Sequence, residues 1–249
     1  MERWTGRVAL VTGASLGIGA AICRALVKNG MVVVGCARHL DALQKLAKEL
    51  EEEKGKFIPI KCDLTITDEI DSMFRAIKEE VGGVDVCVNN AGVNLASPLL
   101  TGEREDFKTV LDLNVFAVTI VTQLAIKSMR ERNVDDGHII NIGSVSCRQV
   151  REGTLSHFYA GSKFALQALT EGLRHELRNA NTRIRTTIIS PSLTDTPLAR
   201  GLKDHGLPPF TATVSLRAED VADALIYALG APPNVNVREI CLAGVSAPM

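Results

Sequence analysis

Seven short runs rich in Val, Ile and Leu, with little polar alternation, constrain this chain more than any other feature. They read RVALVT (7–12), MVVVGCA (31–37), KFIPIKC (56–62), VDVCVN (84–89), GHIINI (137–142), IRTTIIS (184–190) and REICLA (238–243). A strand that is apolar on both sides of its pleat must be covered on both faces, as strands in parallel sheets are. Between the runs lie segments of helical periodicity at 17–29, 40–53, 67–80, 103–132, 157–180 and 217–229. Strict alternation of strand and helix predicts right-handed βαβ units. The expected fold is α/β, a Rossmann-type doubly wound parallel sheet with helices on both faces. No linker, low-complexity tract or repeat interrupts it, so residues 1–249 are expected to form a single domain.

Composition narrows the partners. The chain is 46% hydrophobic with a formal net charge of −1, and its basic residues are scattered, so nothing draws it to nucleic acid or an anionic membrane. The N-terminal MERWTGRVALVTGAS has no apolar signal-peptide core, and MVVVGCA is too short to span a bilayer. A soluble, cytoplasmic protein is expected. Cys23, Cys36, Cys62, Cys87, Cys147 and Cys241 form no C-x-x-C pair and no metal-ligand spacing, so they are read as reduced cysteines and no metal is expected.

Residues 191–216 break the pattern. The segment holds Pro191, Pro197, Pro208 and Pro209 and has no sustained periodicity, which in a loop this long marks function or disorder. Its Leu193, Leu198, Leu202, Leu207 and Phe210 suit a partly apolar cover over a substrate site.

Chemistry is legible at the carboxyl ends of the runs, where parallel sheets bind ligands. After the first run comes a turn with Gly13, Gly17 and Gly19, followed by a helix. Such a turn lets backbone approach a pyrophosphate, which the helix N-terminus attracts. At the end of the second run, where an acid would bind a ribose 2′-hydroxyl, stand Ala37, Arg38 and His39. The guanidinium fork of Arg38 suits a 2′-phosphate, so NADP(H) is favoured over NAD. Asp63, after the third run, either accepts a hydrogen bond from an adenine amino group or serves as the turn residue before the next helix. Asn89, Asn90 and Gly92 close the fourth run and either position a cofactor ribose or brace the sheet. Finally, Tyr159 and Lys163 are four residues apart on a predicted helix, so a phenol and an ammonium share one face.

In this order and at these intervals, TGASLGIG, NNAG, SVS and YAGSK resemble the short-chain dehydrogenase/reductase superfamily, and the likeness runs over nearly the whole chain. Stretches outside the motifs, such as MERW, NVDDGHIINI and ALTEGLRHELR, are similar to one branch. That branch holds vertebrate NADPH-dependent carbonyl and hydroxysteroid reductases and insect farnesol dehydrogenases.

The resemblance implies roles for particular residues. Tyr159 would be the acid/base, its pKa lowered by the Lys163 ammonium and by the positive nicotinamide of the oxidised cofactor. Lys163 would also bond the nicotinamide ribose. Ser144 would polarise the substrate oxygen, with Ser146 as the alternative, and Cys147 would line the pocket where the family usually has glycine. Asn114 would kink its helix and hold a water that links the lysine to solvent. Cofactor contacts would come from Ser15, Leu16 and Ile18 in the glycine turn, from Leu64 after Asp63, and from Pro191, Leu193, Thr194 and Thr196 after the sixth run. Ser192 replaces a usual glycine there and would be strained if the site required positive φ.

The implied activity is NADP(H)-dependent interconversion of an apolar alcohol and its ketone or aldehyde. Val93, Leu95, Val145, Leu155, Phe158 and Leu202 are expected around a steroid, an isoprenoid such as farnesol, or a dicarbonyl or quinone. Alternatives are a catalytically weak NADP-binding sensor, or a sugar or acyl-thioester reductase of the same superfamily. The resemblance also implies a homodimer or homotetramer, to which the apolar circumference of the 157–180 helix would contribute.

Overall fold

The computed structural model describes residues 1–152, 155–202, 211 and 213–247. Leu207, Pro208, Pro209 and Phe210 of the expected cover lie outside the described residues. The seven apolar runs form strands β1 (Val8–Thr12), β2 (Val32–Ala37), β3 (Lys56–Lys61), β4 (Val86–Asn89), β5 (His138–Ile142), β6 (Arg185–Pro191) and β7 (Glu239–Leu242). They make one sheet in the order β3-β2-β1-β4-β5-β6-β7, parallel throughout. The helices are α1 (Gly17–Lys28), α2 (Leu40–Glu49), α3 (Thr67–Val81), α4 (Arg104–Leu111), α5 (Val118–Glu131), α6 (His157–Asn179), α7 (Pro197–Arg200) and α8 (Ala218–Gly230).

Side chains alternate across the pleat, so each strand feeds two cores. Ala9, Val11, Val33, Val88 and Ile140 face α1, α2 and α8. Val8, Leu10, Val34, Cys87 and Ile139 face α3, α5 and the far end of α6. This is why the runs carry so little polar alternation. All six cysteines are free, and all but Cys241 are buried. Burial pushes the thiols of Cys62 and Cys87 up to about 12, which keeps them protonated and inert.

Two segments are more structured than their sequence suggests. The 103–132 helix is not uniform: a π turn, Asp112–Ala117, joins α4 to α5. Taken as one helix, 104–131 has the length and apolarity to cross a membrane. Its Val110, Ala117, Val121, Ala125 and Met129 are buried in this fold, however. In the segment expected to lack regular structure, α7 forms behind the Thr196 N-cap, and Thr194 pairs in parallel with Leu216.

The amino end of the sheet is closed by Trp4. Its ring is fully buried, and its indole N–H donates to Leu229 O at 2.9 Å. The guanidinium carbons of Arg3, Arg7 and Arg185 stand 5.1, 4.5 and 5.8 Å from the ring centroid, within cation–π range. Arg7 in turn makes two 2.9 Å bonds to the Asp136 carboxylate, and Arg3 donates to Leu229 O and Ala231 O. The ring therefore ties the N-terminus to the end of α8 and the loop before β5. Removing it with Trp4→Ala leaves a large cavity and three arginines without their stacking surface. The substitution is expected to cost about 3–5 kcal/mol, read as a lower urea midpoint at unchanged slope.

Candidate active site

At the carboxyl edge the sheet opens between β1 and β4. The chain's crossovers switch faces there, with α1 and α2 on one side and α3 on the other. Thr12 holds the gap: its hydroxyl accepts from the N–H groups of Asn90 and Ala91, both at 3.0 Å, and donates to Val88 O. Asn90 completes the lashing by donating to Thr12 O at 2.9 Å and Gly13 O at 3.1 Å. Asn90 thus braces the turn and also lines the cleft above it. Asn89 points into the sheet instead, donating to Thr122 and Asn141 at 2.9 and 2.8 Å. Bracing is the only role its contacts give it.

The glycine turn has no room for side chains. Gly13 and Gly17 have φ of +64° and +54°, a region that favours glycine. A Cβ on Gly19 would lie 2.2 Å from Gly13 O and 2.5 Å from Asn90 Nδ2. One on Gly17 would press on the Thr196 methyl at 3.1 Å. This bare cradle, at the head of α1, fits a pyrophosphate. The cleft above it has a volume of about 470 Å³ and is lined on this side by Gly13, Leu16, Gly17, Ile18 and Arg38. No acid stands among these cradle residues, which leaves Arg38 as the charged side chain at the ribose end.

Across the cleft, Ser144, Tyr159 and Lys163 share one wall. Ser144 follows β5 and caps a 3-10 turn, its Oγ accepting from Ser146 N–H at 3.1 Å. Tyr159 and Lys163 occupy the first turns of α6, with the ammonium 5.6 Å from the phenol ring centroid. Lys163 is buried and donates to Ile142 O at 2.9 Å. Burial lowers its pKa to about 8. The phenol departs from the expected lowering: burial raises Tyr159 to about 12, with a hydrogen bond to Ser144 acting the other way. Desolvation of the phenolate outweighs that hydrogen bond in the protein alone.

Asn114 sits at the π turn and is buried. Its carboxamide accepts from Val93 N–H and donates to Val93 O, both at 2.9 Å, and donates to Ser162 Oγ at 3.0 Å. Ser162 passes the connection to Tyr159 O at 2.7 Å. A Cβ on Gly92 would lie 3.2 Å from Asn114 Oδ1 and 3.7 Å from Lys163 Nζ, so that glycine lets the loop pass close to the lysine.

Other expected residues fall less neatly. Pro191, Leu193, Thr194 and Thr196 line the cleft. Ser192 lines it too and is not strained, because Asn133 and Asn181 are the only non-glycine residues with positive φ among those described. Asp63 serves the turn: its Oδ1 accepts from the N–H and hydroxyl of Thr65 at 2.9 and 2.7 Å. Leu64 is buried in the core. Ser15 and His39 lie outside the cleft lining, and His39 is the residue preceding α2. Cys147 does not line the cleft; its thiol is 3.5 Å from Ser190 Oγ beneath it.

Of the apolar candidates, Val145 and Leu202 line the cleft, whereas Val93, Leu95, Leu155 and Phe158 do not. Phe158 stacks on Phe107 with centroids 4.5 Å apart. Asn94, Arg151, Ser156 and His157 line the cleft and were not anticipated. Ser156 and His157 stand at the start of α6, whereas Asn94 and Arg151 lie in loops that carry no such signal.

Known proteins resemble this chain over nearly its whole length. Residues 7–206 match the family described as short chain dehydrogenase. The chain is 54% identical to dehydrogenase/reductase SDR family member 11 of Gallus gallus, over 96% of both chains. It is 42% identical to farnesol dehydrogenase of Aedes aegypti, over 98% of both. A crystal structure of a single-residue variant of actinorhodin polyketide ketoreductase with NADPH superposes with a TM-score of 0.86 at 30% identity, covering 96% of each chain.

The cradle makes a direct prediction. Gly19→Ala forces a methyl against Gly13 O and is expected to weaken dinucleotide binding at least tenfold, measured by NADPH fluorescence titration.

Proposed function

The chain belongs to the short-chain dehydrogenase/reductase superfamily, and from that premise we propose that it is an NADP(H)-dependent oxidoreductase acting on the carbonyl of a mainly apolar substrate. One observation carries the proposal: Ser144, Tyr159 and Lys163 converge on the cleft wall opposite a bare glycine cradle. The cradle fits a dinucleotide, and Arg38 at the cleft edge supports the phosphorylated form. The relatives point the same way, one being named a farnesol dehydrogenase and one structural neighbour holding NADPH.

Reducing a ketone needs a hydride at carbon and a proton at oxygen, and a bound nicotinamide supplies the hydride. The chain manages the proton. Tyr159, its pKa raised to about 12 by burial, stays protonated at neutral pH, the form a proton donor requires. Ser144 aims a second hydroxyl at the same oxygen, where negative charge gathers as the carbonyl is reduced. Lys163, held in place by Ile142 O, faces the ring with positive charge and stabilises the phenolate left after transfer.

The segment 191–216 serves as a cover in this reading, which Leu198 and Leu202 in the cleft lining support. Assembly into a homo-oligomer through α5 and α6 is proposed as well. Phe164 and Leu169 lie exposed on α6 beside a groove lined by Val118, Ile126, Leu166 and Leu173.

Two variants test the activity. Tyr159→Phe is expected to keep NADPH affinity but lower kcat/KM for ketone reduction about a thousandfold, followed at 340 nm. Retention of the wild-type rate would rule out the assigned proton donor. Arg38→Glu is expected to reduce the preference for NADPH over NADH by more than tenfold, and an unchanged preference would remove Arg38 from the 2′-phosphate site.

A further inference from the structure

This inference rests on the oxidoreductase reading and concerns what lies beyond the reacting carbonyl. Past Ser144 and Tyr159 the cleft is not the apolar chamber expected of a hydrocarbon substrate. Val145, Leu198 and Leu202 share it with Asn94 and His157. His157 is already engaged, its Nε2–H donating to Arg151 O at 3.1 Å. Asn94 differs from His157: its Oδ1 is enclosed in the cleft wall and, like Ser192 Oγ, has no hydrogen-bond partner among the described residues. A buried amide oxygen left unpaired is costly, so it calls for an explanation.

The backbone beside it is unusually well held. Asn114 bonds both the N–H and the C=O of Val93, the residue immediately before Asn94. Through Ser162 the same carboxamide is tied to the turn that carries Tyr159. Asn94 thus follows a peptide whose position is tied to the turn that carries Tyr159, and its Oδ1 is left unpaired by the described residues. A half-turn of the amide exposes either its NH₂ or its C=O.

We propose that Asn94 reads a second oxygen on the substrate, so that the enzyme prefers carbonyl compounds bearing a further keto or hydroxyl group over plain monoketones of the same skeleton. The amide NH₂ donates to a keto oxygen, and the C=O accepts from a hydroxyl. The apolar lining contacts the skeleton between the two oxygens.

The test compares a fused-ring monoketone with the diketone and the hydroxyketone of the same skeleton, at saturating NADPH. Wild type is expected to show at least tenfold higher kcat/KM for both dioxygenated compounds, mostly through KM. Asn94→Leu, near in size but apolar, is expected to lower both ratios about tenfold. Asn94→Asp, isosteric and acceptor-only when ionised, is expected to lose the diketone preference yet keep that for the hydroxyketone. Thermal midpoints and NADPH titration verify that each variant is folded and loaded. Equal losses on all three ketones, or wild-type ratios in both variants, would overturn the assignment while leaving the oxidoreductase activity standing. Failure of wild type to consume NADPH with any of the three would overturn both.

Discussion

The ends of β1 and β4 must part, because the chain's crossovers leave the sheet on opposite faces at that point, and everything functional depends on how the gap is held. A doubly wound sheet provides such a gap without further design, but it does not keep it in shape. Here Thr12 and Asn90 do so, with side chains that satisfy backbone groups of the neighbouring strand end and turn. These bonds replace the ladder hydrogen bonds that end where the strands diverge. The glycine turn can therefore stay free of side chains without collapsing. The cradle on one wall and the Ser144–Tyr159–Lys163 group on the other follow from that opening.

Most of the architecture could be read from the chain because burial on both faces leaves a plain signature. Ala9 and Leu10 are adjacent yet pack in different cores, and only a strand covered twice tolerates such a run. The glycine turn and the Tyr159–Lys163 pair were readable for a related reason, since each needs a particular residue type at fixed spacing. What escaped was decided by which way a side chain turns. Asp63 has the same sequence position whether it faces a ligand or folds back on Thr65, and the local turn prevails. Cys147 follows Ser144 closely, but the 3-10 turn points it at Ser190. The direction of the Tyr159 shift was also hidden, because desolvation depends on packing that spacing does not encode.

Asn114 shows how one local irregularity coordinates the site. A π turn gives up regular helical hydrogen bonding, so such turns persist where something compensates them. Here the compensation is three side-chain hydrogen bonds, two to Val93 and one to Ser162. A regular helix through 112–117 would rotate the residues that follow and carry the carboxamide off the Val93 peptide. The loop after β4 and the first turn of α6 come from distant parts of the chain, yet they meet on this one side chain. Bonding both groups of Val93 fixes the loop's direction as well as its position, and the Ser162 link sets that direction relative to Tyr159. The spacing between Tyr159 and the loop after β4 is therefore set by a buried amide that itself lines none of the cleft. The loop after β4 and the first turn of α6 share one geometric reference, so a change that relaxes the π turn must disturb both together.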